Sequence, residues 1–350
     1  MTESSKEQEP RDGPSEERVA ALFSLYARGA FAAVVTEART LLANGLRSVA
    51  LLNVLGAACK ASGRLREAED AFRAAVALEP GYADGHNNLG VMLFEGGDPG
   101  GAVVAYRHAI ASRPDHADAH NNLGNALEAL GDADAAIAAF ARAAALKPGF
   151  ALAHRNMGNT LLRLGRHDEA IASYRAAIAI QKTMADAYRG IGNALHAKRD
   201  HANAVAFHQY AIAMRPGYAE AMNDLGNALR AQGDLDGAIA AFRRAVSIRP
   251  DLAAVYSNLG NALQANGERE QAVAAYRQAI AIDPFIAQAH DNLGTALQAQ
   301  GAYDAAIDAH CRAIACSPDY AEAHSNLGAA FNTLGRFDEA IDSFGRAVTI

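Results

Sequence analysis

The chain has 350 residues, with 32 basic and 39 acidic side chains and a formal net charge of −7, and no Lys/Arg run marks the electrostatic footprint of a nucleic-acid binder. Its 51% apolar content is carried mostly by alanine, with 7% aromatic residues and no Trp, which suits helices packed through small side chains. Three cysteines without paired spacing, Cys59, Cys311 and Cys316, exclude a disulfide framework or a zinc module.

The first 19 residues are polar and lack the apolar core of a signal peptide, and no run of about 18 apolar residues follows. A soluble cytoplasmic protein with no membrane partner is expected. Residues 1–14 mix Ser, Glu, Lys, Pro and Gly without an apolar period, so they bury too little surface to offset ordering entropy and are expected to be a disordered tail.

From residue 15 the chain repeats itself. Nine glycines stand at 34-residue steps from Gly56 to Gly328, and a second glycine follows each seven residues later, except that Arg199 replaces it once. Such a period predicts one stacked solenoid instead of two globular domains. The boundaries are 15–48, 49–82, 83–116, 117–150, 151–184, 185–218, 219–252, 253–286, 287–320 and an incomplete 321–350. The first unit is degenerate, with Leu22 in place of the first glycine and Gly29 holding the turn.

Positions are numbered within each unit so that the glycine of NNLGN is eighth. Positions 4, 7, 8 and 11 share one face of the unit's first helix, A; in the fourth unit these are His120, Leu123, Gly124 and Leu127. The missing side chain at position 8 admits the second helix, B, and the glycine at position 15 permits the turn between them. Asp98, Asp132, Asp200 and Asp234 follow that turn, placed to cap helix B. Ala at 20, an aromatic at 24 and Ala at 27, as in Ala136, Phe140 and Ala143, make the apolar stripe of helix B. Proline at position 32 ends it, and the apolar residue at 34, such as Tyr82 or Phe150, is placed to staple the next helix.

These residues at these offsets resemble the tetratricopeptide repeat, whose fold would make the chain an all-α, right-handed superhelix of about ten helix-turn-helix units. The Trp frequent at position 4 of that family is replaced by His86, His120, His154, Tyr188, Met222, Tyr256, His290 and His324. The wording NNLGNAL is also similar to the repeats that precede the catalytic region of O-linked N-acetylglucosamine transferases.

Positions 2, 5, 6, 9 and 13 fall on the other side of helix A, expected to face the concave groove. Position 6 holds Asn88, Asn122, Asn156, Asn258, Asn292 and Asn326, interrupted by Gly190 and Asp224; position 9 holds Asn125, Asn159, Asn193, Asn227 and Asn261. A primary amide carries two donors and an acceptor, so such columns can pair with the backbone of an extended peptide whatever its side chains. The transferase resemblance implies the same asparagine ladder. The competing expectation is that these amides tie neighbouring units together. Arg155 and Arg189 at position 5, with Arg163 at 13, form a candidate anion-binding set, against the alternative of solvated groove-edge arginines.

Lys182, Gly190, Arg199 and His208 break the pattern within 27 residues, which suggests a local bend as readily as ordinary repeat drift. The 12 histidines include His116 and His120 at helical spacing, but without HExxH or a third ligand they read as core or edge residues. GGDPGG, Gly96 to Gly101, lies at a turn and lacks the G-K-[ST] of a phosphate loop. No cofactor, metal or catalytic residue is assigned.

The expected function is a scaffold that binds extended peptide or protein segments in the groove. One alternative is the substrate-recognition region of a protein glycosyltransferase whose catalytic domain lies beyond residue 350, suggested by a tenth unit that ends unfinished. A self-associating scaffold is the other.

Overall fold

A computed structural model describes residues 13–350, which are helical apart from the turns that join the helices. Contacts divide the chain into two compact units, residues 1–164 and 165–350. The first carries α1 (Gly13–Ala27), α2 (Phe31–Ala43), α3 (Val49–Ala61), α4 (Leu65–Leu78), α5 (Ala83–Glu95), α6 (Pro99–Ser112), α7 (Ala117–Ala129), α8 (Ala133–Leu146) and α9 (Ala151–Arg163). The second carries α10 (His167–Ile180), α11 (Ala185–Ala197), α12 (His201–Met214), α13 (Ala219–Gln232), α14 (Leu235–Ile248), α15 (Ala253–Ala265), α16 (Arg269–Ile282), α17 (Ala287–Gln298), α18 (Tyr303–Cys316), α19 (Ala321–Thr333) and α20 (Phe337–Thr349). The expected tail falls outside the described residues up to residue 12, and α1 begins at Gly13.

Most of the pairs share one closing contact. In α7, Gly124 lies under the ring of Phe140 from α8, and a Cβ there would sit 2.5 Å from Phe140 Cε1. The same glycine-on-ring contact recurs as Gly56 on Phe72, Gly90 on Tyr106, Gly192 on His208, Gly226 on Phe242, Gly260 on Tyr276 and Gly294 on His310. The rings are almost fully buried, with Ala68, Ala136, Ala204 and Ala272 and their counterparts completing a core of small residues.

The turns follow the sequence closely. Gly131 has φ of +84°, and where the glycine is missing Arg199 takes φ of +63°, a left-handed conformation that an L side chain adopts at a penalty. One residue on, the carboxylates of Asp98, Asp132, Asp200 and Asp234 accept the backbone N–H of Gly101, Ala135, Asn203 and Gly237, capping helix B. At the far end Lys147 is extended before Pro148, so α8 stops there. Phe150 and Tyr218 are the N-cap residues of α9 and α13, and contribute no side-chain cap.

Position 4 has a function that its residue type did not reveal. Nε2 of His86, His120, His290 and His324 lies 2.9 to 3.1 Å from the carbonyl of the proline six residues earlier, tying the linker to the helix it enters. These histidines act as packing donors; His290 and His324 are buried and His86 and His120 half-buried, as core or edge residues.

Within each unit, consecutive odd-numbered helices pack directly on one another, as α5 on α7 and α11 on α13, while no even-numbered pair does so to the same extent. The odd helices therefore line the tighter, inner side of the stack. At its last helix, α20 leaves Phe337, Ile341 and Val348 largely exposed.

Gly124→Ala tests the closing contact. Alanine favours a helix by about 0.5–1 kcal/mol over glycine, yet overpacking should outweigh this and destabilise the fold by about 1–3 kcal/mol. Chemical denaturation should show that loss, and Phe140→Leu in the same chain should recover part of it.

Candidate functional site

The asparagine columns lie on the odd helices, at the seam between each helix and the next. In the first unit Asn88 Nδ2 donates to Asn53 Oδ1 at 2.7 Å, Asn122 Nδ2 to Asn87 Oδ1 at 3.0 Å, and Asn156 Nδ2 to both Asn121 Oδ1 and Asn125 Oδ1 at 3.1 Å. In the second, Asn258 Nδ2 donates to Asn223 Oδ1 at 2.9 Å, Asn292 Nδ2 to Asn261 Oδ1 at 2.9 Å, and Asn326 Nδ2 to both oxygens of Asp291 at 3.0 and 3.2 Å. Each position-6 amide thus reaches back to position 5 or 9 of the preceding repeat, and the amides do tie neighbouring repeats.

The tie leaves part of most of these amides available; Asn156 is the exception, its Nδ2 donating to both Asn121 and Asn125 while its Oδ1 accepts from Arg155. A primary amide has two N–H donors and two acceptor lone pairs, and the rungs engage Nδ2 at position 6 and Oδ1 at positions 5 and 9. Among the described residues the buried side-chain polar atoms without a partner are all histidine nitrogens, so no asparagine atom is both sealed from solvent and unsatisfied. Asn156 is buried; Asn88, Asn122, Asn125, Asn258, Asn261, Asn292 and Asn326 are half-buried, and Asn159 is exposed. Asn193 and Asn227 are half-buried and make no side-chain hydrogen bond to the described residues.

The position-5 acceptors Asn53, Asn87, Asn121 and Asn223 were outside the expected site. For two of them the signal was the doubled asparagine, Asn87-Asn88 and Asn121-Asn122, which places an acceptor beside the donor.

The sixth repeat rewires this pattern. Arg189 Nε donates to Asp224 Oδ2 at 2.6 Å across the same 35-residue step, so here position 5 is the donor and position 6 the acceptor. Asp224, the interruption of the asparagine column, is therefore the complement of Arg189. Arg189 also donates to the Tyr218 hydroxyl at 3.2 Å. At Gly190 the amide is absent, and a Cβ there would meet Tyr174 Cζ at 2.3 Å, so the ring occupies the space of a side chain.

The three candidate anion-binding arginines all have protein partners. Arg155 donates to Asn156 Oδ1 at 2.9 Å, and Arg163 pairs with Glu128 at 3.0 Å. An incoming anion would compete with Glu128 at Arg163 and with Asp224 at Arg189.

Two histidines replace the helix-B ring, and their surroundings differ. His310 Nδ1 lies 2.6 Å from Asp291 Oδ1, with both side chains almost completely buried. His208 is fully buried with neither ring nitrogen bonded. Burial pushes the His208 imidazole from 6.5 down to about 4, with Asp224 opposing the shift and Arg189 and His196 adding to it. It is neutral at pH 7. No group of three His, Cys, Asp or Glu side chains is placed to hold a metal among the described residues, and no helix of these residues is long and apolar enough to cross a membrane.

Paired antiparallel helices stacked through a recurring side-chain rung define a helical-repeat solenoid. The chain belongs to the tetratricopeptide-repeat family: models described as tetratricopeptide or TPR repeats match residues 60–107, 96–151, 158–198, 226–267, 253–285, 296–335 and 321–350, together well over half of it. No curated protein matches it. Among solved structures it is similar to MamA, at 28% identity over 45% of this chain and 93% of that one, with a TM-score of 0.43. It is also similar to YrrB, titled a TPR protein with an unusual peptide-binding site, at 23% identity over 53% and 95%, with a TM-score of 0.45. A third is the APC/C hetero-tetramer Cut9-Hcn1, at 18% identity over 84% of this chain and 58% of that one, with a TM-score of 0.57 that speaks for the fold alone.

The two buried imidazoles yield separate predictions. The unfolded chain protonates His208 near pH 6.5 and the folded chain near 4. The stability this neutral site confers is thus complete above pH 6.5 and lost as pH falls towards 4, by about 3 kcal/mol. Denaturation across that window should show the loss in wild type and a shallower slope in His208→Tyr. For the other pair, His310→Tyr leaves a buried carboxylate without its imidazole and should cost about 3 kcal/mol. Adding Asp291→Ser, which recreates the Ser257 and Tyr276 combination of the preceding repeat, should recover most of it in a double-mutant cycle.

Proposed function

We propose that this chain is a non-catalytic scaffold that binds extended peptide or protein segments along the inner, odd-helix face, with the asparagine columns gripping peptide backbone. The observation that carries this reading is the half-used amide: rungs such as those of Asn88, Asn122 and Asn258 commit one donor at position 6 and an acceptor at position 5, with other amide donors and acceptors to spare. An extended chain presents N–H and C=O groups alternately, and a column of bifunctional amides suits either. Asn193 and Asn227, which join no rung, add two wholly uncommitted amides to the same face. No observation on these residues favours the glycosyltransferase alternative.

The test must separate gripping from tying. Dodecapeptides selected by phage display against the wild-type chain should lose at least about tenfold in affinity when Asn125 and Asn159 at position 9 are both changed to Ala, with stability reduced by about 1 kcal/mol for each hydrogen bond these amides make. Extending the change to Asn122→Ala and Asn156→Ala should lower stability further, by about 1 kcal/mol per rung. Affinity that stays at the wild-type value while stability falls would reduce the columns to ties alone.

A further inference from the structure

The space around His208 differs from that around the ring at the same position two repeats on. In the repeat 253–286 the position-24 ring is Tyr276, whose hydroxyl reaches Asn261 Oδ1 at 2.8 Å and Gln264 Oε1 at 3.0 Å. The equivalent residues of the repeat 185–218 are His208, Asn193 and His196. Imidazole is shorter than phenol and ends before the place the hydroxyl would fill. What replaces the hydroxyl is a cavity of about 280 Å³ lined by Asn193, His196, His208, Asp224, Asn227 and Arg230. At about 30 Å³ per liquid water this is room for several waters or one polar side chain.

The lining is chemically specific. His208 is fully buried with both ring nitrogens unpartnered, a state that buried polar atoms rarely hold without an occupant. Asn193 and Asn227, on either side, are unbonded to the described residues. Asp224 is already engaged by Arg189 at 2.6 Å, which neutralises its charge. His196 shares a proton with His201, Nδ1 to Nδ1 at 3.2 Å. Arg230 is exposed. The contrast with His310 is direct, because there Asp291 supplies the missing partner from within the protein.

We propose that this cavity between α11, α12 and α13 is a side-chain subsite for a primary carboxamide, the end of a glutamine or asparagine on a bound peptide. A neutral imidazole offers one donor and one acceptor, and each flanking amide offers both. A carboxylate would satisfy only the donors, and would leave the imidazole lone pair and the amide carbonyls facing oxygen. An ammonium would satisfy only the acceptors. A carboxamide has two donors and an acceptor on one planar group, and pairs with all three lining groups at once. The subsite rests on the groove-binding reading only in that a peptide carries the amide to it, and it would give a backbone-gripping groove one position with side-chain preference.

The experiment uses the full chain with ¹⁵N-labelled histidine. N-acetyl-glutamine methylamide, N-acetyl-glutamate methylamide and N-acetyl-norleucine methylamide are titrated separately against the imidazole resonances, with the His208 signals assigned by their loss in His208→Tyr. Tyrosine stands at this position in Tyr106, Tyr174 and Tyr276, so that variant should fold, and circular dichroism checks it. The expected result is a saturable shift of the His208 resonances by the glutamine derivative, at least about tenfold weaker binding of the other two, and loss of glutamine-derivative binding, followed by competition calorimetry, in His208→Tyr. No saturable shift, equal or stronger binding of the glutamate derivative, or binding that survives in His208→Tyr would each overturn the proposal. Because this readout needs no peptide, a chain that binds the glutamine derivative but no selected dodecapeptide refutes the groove reading and leaves the subsite standing, and the converse result does the reverse.

Discussion

The contact between a glycine on one helix and a ring on the next governs how close the two helices of a repeat can come. With no Cβ at Gly124, the edge of Phe140 comes within 2.5 Å of where that atom would be, a distance that real side-chain atoms do not sustain. The core of each pair is therefore a single ring surrounded by alanines, and few of the rings have room to change size. What can change is the chemistry of the ring. Phe140 and Phe242 present only carbon, Tyr276 carries a hydroxyl to Asn261, His310 is held by Asp291, and His208 is held by nothing. The contact that builds the stack also sets which polar groups emerge beneath the inner face.

Between repeats the forces are smaller and serve register more than cohesion. A neutral rung such as Asn122 to Asn87 contributes about 1 kcal/mol net, whereas burying the apolar residues of one pair contributes several times that. Exposed ion pairs between repeats, such as Arg39 with Glu67 and Lys60 with Glu95, add little. The rung's value is directional, because the position-6 amide must stand opposite position 5 or 9 of the preceding odd helix. Arg189 with Asp224 shows that the register can be kept with donor and acceptor exchanged, provided both positions change together. Read singly, each looks like a fault in the repeat; as a pair they are a rung of opposite polarity.

The architecture was legible in the sequence because every determinant of it is local and periodic. The glycine at position 15, the acid that caps helix B and the closing proline each act within a few residues, so their spacing alone identifies the turn, and Gly131, Asp132 and Pro148 behave as their positions imply. The rungs were only half legible. Helical periodicity separates the apolar face of α7 from the face bearing Asn121, Asn122 and Asn125, but it does not say how far the next odd helix stands from that face. That distance is set by packing, and it turns Asn121 into a buried acceptor and leaves Asn122 half-buried. The histidine column was hidden for another reason. Its partner is a backbone carbonyl, and every residue has one, so nothing in the residue types marks Pro80 or Pro114 as the acceptor.

Periodicity and selectivity pull in opposite directions in such a chain. A perfect repeat offers a bound peptide the same amides at every step and so cannot fix where along the groove the peptide begins. Register requires at least one position unlike its neighbours. The sixth repeat is where this chain departs most from itself: Gly190 gives way to the Tyr174 ring, Arg189 reverses a rung, and His208 shortens the helix-B ring. Arg199 adds a strained left-handed residue that an ordinary repeat avoids. Relaxed drift would scatter such changes among exposed positions, where substitutions are nearly neutral. Here the changes at Gly190, His208 and Arg189 fall on the ring contact or on the inner rung, and all three alter what the inner face offers, leaving the helix pair itself intact.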